Sequence, residues 1–152
     1  MKSKIINIAI YIFFLPLVVH ASSISDDLAK LGEQYLEKSD YEKAKFYLEQ
    51  SMVSDPLNVK AYTILALVYK ADTDYEKAKK YYEISLTIEP TNVQNLLAVG
   101  ELEMILENVE SAEDYLKKIE ELCTNDCEEY KKLKYFIDNP SEKVSWQINQ
   151  EP

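Results

Sequence analysis

Apolar residues recur at helical spacing along most of the chain. Leu28, Leu31, Tyr35 and Leu36 share one helix face; after a short Ser39-Asp40 turn, Tyr41, Ala44, Tyr47, Leu48 and Ser51 make a second stripe. Pro56 ends that second helix, because proline lacks the N–H and disfavours helical backbone in the residue before it. Tyr62, Leu65 and Tyr69, followed by Tyr75, Ala78, Tyr82 and Ser85, repeat both stripes. A last stripe, Tyr130, Leu133, Phe136 and Ile137, predicts a helix over Glu128–Asp138, with Glu128, Glu129, Lys131, Lys132 and Lys134 on its polar side. Glu128 and Glu129 in its first turn and Lys134 towards its end suit the helix dipole. Asn139-Pro140 stops it. The pattern predicts an all-α chain with two exceptions: an apolar run at Ile5–Val19, broken late by Pro16, and a polar, flexible tail over residues 139–152 relieved only by Val144, Trp146 and Ile148.

The stripes have a period. A shift of thirty-four residues lays Ser25–Asn58 over Val59–Asn92 without a gap, with thirteen identities where about two are expected from average residue usage. Asp40-Tyr41-Glu42-Lys43-Ala44-Lys45 returns as Asp74-Tyr75-Glu76-Lys77-Ala78-Lys79, Pro56 as Pro90, and Asn58 as Asn92. A weaker third copy over residues 93–126 keeps Gly100, Ala112 and Tyr115. Small residues are expected where helices cross: Gly32, Ala66 and Gly100 on the first helix of each pair, Ala44, Ala78 and Ala112 on the facing helix.

The thirty-four-residue period and the residues Leu31-Gly32…Tyr35…Ala44…Pro56, with their second copy, resemble the tetratricopeptide repeat (TPR) family. The resemblance implies a right-handed α-solenoid of three helix pairs, 25–58, 59–92 and 93–126, closed by a capping helix at 128–138. In the third copy Glu103 replaces an aromatic, Ile119 a small residue and Thr124 the terminal proline, as suits the end of an array. With its Cys pair and amphipathic last helix, the arrangement resembles small exported bacterial TPR proteins.

The N-terminus changes the compartment. Lys2 and Lys4, the apolar run and the small residues of Val19-His20-Ala21 read as a secretory signal, residues 1–21, cleaved after Ala21. A retained membrane anchor is the alternative, but the run is about fifteen residues where spanning needs roughly 20, and Pro16 interrupts it. No Cys follows the run to carry a lipid. The mature part, residues 22–138 as one domain plus the tail, would be exported and periplasmic.

Composition then narrows the chemistry. The net charge is −10, all seventeen basic residues are Lys, His20 is the only His, and Gly occurs only at positions 32 and 100. No Gly-rich phosphate loop, His-metal cluster or guanidinium clamp can be assembled. The acidic balance argues against nucleic acid and anionic membrane surfaces. No cofactor or metal is expected, and no stable membrane insertion after signal cleavage. A Glu pair could in principle serve glycoside hydrolysis, but Glu33, Glu37 and Glu101 read more simply as solvated helix faces, so no catalytic residue is assigned.

Cys123 and Cys127 are the only cysteines, and in an oxidising compartment a pair this close is expected to close as a structural disulfide clamping the last helix. A reactive thiol pair is the competing reading, although Asp126, Glu128 and Glu129 would raise the thiol pKa. A metal site lacks ligands.

In TPR proteins the first helix of each pair lines a concave groove that holds a peptide or a partner's helix. By register the groove here would comprise Ala29, Lys30, Glu33 and Leu36; Lys60, Thr63, Ile64, Leu67 and Lys70; and Leu97, Ala98, Glu101, Met104 and Ile105. Some TPR domains grip a C-terminal carboxylate through basic and amide residues; Ala29, Glu33, Ile64, Gln94 and Ala98 stand at those positions and do not form such a clamp. An apolar segment with some basic residues would suit the groove. Leu67, Leu97 and Ile105 could instead pack helix against helix, and the ladder Tyr47, Tyr81 and Tyr115 reads as repeat packing more readily than as a binding stripe. Trp146 could dock on the array, enter the groove or remain free. The sequence thus points to a non-catalytic interaction module, a scaffold or adaptor in the bacterial cell envelope, with a protein or peptide partner. A thiol-active redox helper and a self-assembling structural repeat protein are the alternatives.

Overall fold

The computed structural model describes residues 24–123 and 127–140. The signal-like segment and its cleavage site, the turn at 124–126 and the tail with Trp146 lie outside the described residues. Seven helices and no strands form the described chain: α1 over residues 24–37, α2 Tyr41–Ser54, α3 Val59–Ala71, α4 Tyr75–Ile88, α5 Val93–Ile105, α6 Val109–Leu122 and α7 Glu128–Asp138. Contacts divide them into two compact units, one ending at Val68 and one beginning at Tyr69.

The repeated motif works as a helix punctuation. The first helix of each pair ends in a residue with positive φ: Ser39 (56°), Thr73 (59°) and Glu107 (67°). The next N–H reaches back to close the end, from Asp40 to Tyr35 O (2.9 Å), Asp74 to Tyr69 O (2.9 Å) and Asn108 to Glu103 O (2.8 Å). Such bonds satisfy carbonyls the helix leaves unpaired. Asp40 and Asp74 then cap the second helix, their Oδ1 atoms accepting from Lys43 N and Lys77 N at 3.3 and 3.2 Å. Their other oxygens hold Lys43 Nζ and Lys77 Nζ, each at 2.6 Å. The Asp-Tyr-Glu-Lys string therefore encodes a cap, not a catalytic group. Asn108 in the third copy makes no side-chain cap bond.

In the first unit Gly32 lies against Leu48: a Cβ there would sit 2.5 Å from Leu48 Cγ, so α1 and α2 approach as closely as the sequence implies. Beside this contact is a buried polar joint. Ser51 Oγ donates to Ser25 O (2.8 Å), Ser25 Oγ to Ser51 O (3.0 Å), and Asn58 Nδ2 to Ser25 Oγ (2.7 Å) and Asp26 Oδ1 (3.0 Å). Asn58 Oδ1 accepts from Ala61 N at 3.1 Å, starting α3. The recurrence is partial: Asn92 repeats the cap, its Oδ1 accepting from Asn95 N at 3.0 Å, but its Nδ2 donates to Glu89 Oε2, and Ser85 is held by Asn95 Nδ2 instead.

In the second unit α4, α5, α6 and α7 pack in succession, α7 resting on both α5 and α6. Leu96, Ile119 and Leu133 form the core, with Leu86, Val93, Leu97, Tyr115, Leu116, Tyr130 and Ile137 around them. Gly100 adds a second close neighbour to the crossing expectation. The three atoms nearest to a Cβ there belong to Leu133 of α7, the closest at 2.5 Å, so the tightest approach at Gly100 is to α7, which packs on α5.

Candidate partner-binding surface

The first-helix faces expected to bind a partner are described unit by unit. In the first unit Ala29 and Ile64 are buried, while Glu33, Leu36 and Thr63 are half-buried and Lys30 and Lys60 exposed. Burial makes Ala29 and Ile64 packing residues. Lys60 Nζ lies 2.8 Å from Glu33 Oε2, an ion pair joining α3 to α1. Leu67 is 39% exposed and stands two turns beyond Lys60 on the same helix face. Lys60, Thr63 and Leu67 thus share one face of α3, with Glu33 of α1 paired to Lys60.

The second unit differs. Met104 is buried, and Leu97 packs against the Leu96–Ile119–Leu133 core. Ala98 and Ile105 are half-buried. Glu101 is only 5% exposed, in ion-pair contact with Lys132 Nζ of α7 (2.9 Å) and near Lys70 Nζ (3.5 Å). Glu103 is also buried, held by Lys79 Nζ (3.0 Å) and by Asn108 Nδ2, which donates at 2.9 Å. The Glu103 hydrogen bond raises the Lys79 pKa. Two carboxylates are thus buried with lysines on them, the arrangement that makes such burial tolerable. Neither is a solvated face. Lys132 was absent from the expected set, yet the period already pointed to it: counting in thirty-fours gives Lys30, Ile64, Ala98 and Lys132, one slot on successive first helices.

The tyrosines are packing elements. Tyr47 stacks on Tyr35 with centroids 5.3 Å apart, and Tyr81 on Tyr69 at 5.4 Å. Lys43 and Lys77 lie over Tyr35 and Tyr69, each 5.2 Å from the ring centre. Burial, then Glu83 and Glu103, pushes Tyr115 up to about 12; Tyr82 is also raised, by burial first and Glu101 second.

A hollow of about 440 Å³ is lined by Asp72, Thr73, Asp74, Tyr75, Glu76 and Leu106, but Asp74 there is the α4 cap. Among the described residues no group of three or more His, Cys, Asp or Glu could hold a metal, and no helix is long and apolar enough to cross a membrane. Cys123 and Cys127 bring their sulfurs into contact, with Cα atoms 5.7 Å apart, at the junction of α6 and α7.

The comparisons with known proteins bear on the fold. Residues 59–92 match the family model described as tetratricopeptide repeat. No curated protein matches the chain in sequence. Among solved structures, the first TPR domain of Spaghetti (RPAP3) bound to the HSP90 peptide SRMEEVD is 19% identical, covering 82% of this chain and 98% of that one at a TM-score of 0.67. The Yersinia enterocolitica type III secretion chaperone SycD, in complex with a peptide of the translocator YopD, is 19% identical over 83% and 94% of the two chains, with a TM-score of 0.64. The Sgt2 TPR domain of Aspergillus fumigatus is 21% identical over 84% of each, with a TM-score of 0.65. At such identities the likeness is one of fold. Residues 59–92 therefore carry a tetratricopeptide repeat, and the chain has the all-α fold of TPR domains, ended by a capping helix.

Proposed function

We propose that this chain is a non-catalytic interaction module, exported to the bacterial cell envelope, that holds a partner segment against its first-helix faces. The observation that carries the reading is the surface made by Leu67, Thr63 and Lys60 beside Glu33, an exposed apolar side chain next to a charged rim. TPR structures of similar fold hold peptides, of HSP90 in one case and of YopD in another. Ala29 and Glu33 stand where a carboxylate clamp needs basic or amide groups, so a different ligand chemistry is called for. An apolar segment flanked by lysine or arginine suits Leu67 and the acidic surface. Export rests on Lys2, Lys4, Ile5–Val19 and Ala21.

The test places a photo-crosslinker at Leu67 of the full chain in envelope preparations, then measures affinity for the captured partner. Leu67→Glu is the control, since an exposed position tolerates charge, whereas Leu97→Glu would disturb the core. The expected result is a partner segment whose affinity falls about tenfold or more in Leu67→Glu, some 1.4 kcal/mol, with the melting temperature kept. Equal affinity of the two forms would sink the reading.

A second reading, a thiol-active redox helper, draws on the sulfur contact between Cys123 and Cys127. Trapping with an alkylating agent separates them: a structural disulfide stays unlabelled without reductant, a cycling pair does not.

A further inference from the structure

The junctions that lead from a second helix to the next first helix are punctuated differently. Pro56 lies between α2 and α3, and Pro90 between α4 and α5; the same slot between α6 and α7 holds Thr124. From Val109 to Asp138 there is neither Gly nor Pro. Asn58 and Asn92 cap the starts of α3 and α5, whereas Cys127, the N-cap residue of α7, makes no side-chain cap bond. Asp126, at the slot of those two asparagines, is the one helix-start residue left. Local chemistry therefore gives α6 little reason to stop before α7 begins.

What this junction has instead is the bond between Cys123 and Cys127. Residues one turn apart on a straight helix hold their Cβ atoms about 5–6 Å apart. A disulfide brings them to about 3.5–4.5 Å. The bond is thus incompatible with a helix running straight through, and it supplies the stop that proline supplies at the other two junctions. The helix it turns back has a fitted seat. Leu133 is fully buried and fills the space that a Cβ on Gly100 would take, and Phe136 is buried beside it in sequence. Lys132 is in ion-pair contact with the buried Glu101. An α7 that left this seat would bare Leu96 and Ile119 and part Glu101 from Lys132, so the seat must be refilled.

We propose that the disulfide is a redox-controlled stop: with the bond open, α6 runs on into α7, and α7 takes the same seat on α5 and α6 of a second copy of this chain. Reduction by a dithiol opens it. The dithiol gives up two electrons and two protons and ends as a disulfide, and two thiols are left at Cys123 and Cys127. A second copy is the occupant because it carries the identical seat, with the Gly100 recess for Leu133, Glu101 for Lys132 and Leu96 with Ile119 beneath. The exchange is mutual: each chain fills the other's seat, and the pair closes about a two-fold axis. Such a swap keeps the contacts of α7 and changes only the junction, so the junction decides between the two forms. The Leu67 surface is not used, so this device stands or falls independently of partner binding.

The experiment measures the mass of the full chain in solution by sedimentation over a concentration series, oxidised and after equilibration with dithiothreitol, alongside the Cys123→Ser, Cys127→Ser double variant. The expected result is a monomer when oxidised and a doubled mass both in the reduced chain and in the double variant. Thr124→Pro, added to the double variant, puts back the stop that the first two junctions carry. It is expected to return the monomer, with the α7 amides protected from hydrogen exchange. A reduced chain and a double variant that both stay monomeric overturn the proposal, whether α7 remains protected or frays. A dimer that forms equally in the oxidised chain overturns it as well, as does one that persists with Thr124→Pro.

Discussion

The first and last joints of the described chain solve one packing problem in opposite ways. Ser51, Ser85 and Ile119 stand at one slot of the repeat, on the second helix of each pair. In the first unit Ser51 sits in a closed hydrogen-bond set with Ser25 and Asn58. In the second unit Ile119 packs with Leu96 and Leu133 in one apolar cluster. Ser85 keeps the polar style, donating to Tyr82 O at 2.6 Å and accepting from Asn95 Nδ2 at 2.8 Å. A hydrogen-bonded joint is directional and fixes register, at roughly 1 kcal/mol net per bond. An apolar joint is non-directional and gains with every methylene buried. The difference suits the position: α7 is the last helix, and what it needs from its neighbours is adhesion.

The largest effect is expected from forcing the polar solution on the apolar joint. Ile119→Ser removes volume beneath Leu133 and buries a hydroxyl with no Asn opposite, a loss of about 4 kcal/mol in a urea titration. A loss under about 1 kcal/mol would show that α7 is not held by this core. Breaking the polar joint comes next. Asn58→Ala strips partners from Ser25 Oγ, Asp26 and Ala61 N at once and is expected to cost about 2 kcal/mol; Asn58→Asp, which keeps the cap but not the Nδ2 donor, should recover only part of it. The Cys123→Ser, Cys127→Ser double variant tests the proposed clamp on the apolar joint, with an expected loss of roughly 2 kcal/mol from the short closed loop. An unchanged melting temperature would show that packing alone holds α7.

The smallest effect is a pH dependence confined to the second unit. Tyr115, at about 12, and Tyr82 have pKa values raised in the fold. A raised value means that the folded state favours the protonated phenol. The associated stability is complete below the unfolded value near 10 and is lost as the pH climbs through about 12. Urea midpoints should stay level to pH 9 in this respect and fall from pH 10 to 12, with Tyr115→Phe flattening part of the fall. An unchanged slope in Tyr115→Phe would place the alkaline transition elsewhere.

Much of this was legible in the residues. The helical period, the Asp caps and the small crossing residues follow from local chemistry, and Gly32 meets Leu48 as that chemistry requires. The candidate surface was legible only in part. Lys60, Glu33 and Leu67 lie together on it, but Ala29, Ile64, Glu101 and Met104 are buried. A helical face can be read from spacing; which part of that face the next helix covers cannot.

The sequence by itself determined the repeat, the helix boundaries and the caps, because each depends on side chains within about one turn of the backbone groups they satisfy. Only the tertiary structure decided that Gly100 meets Leu133, that Lys132 reaches Glu101, and that Leu31 stays open where Leu65, Val99 and Leu133 are sealed. Those outcomes depend on which helix lies against which, and long-range packing is set by the fit of whole faces, a quantity that no local pattern contains.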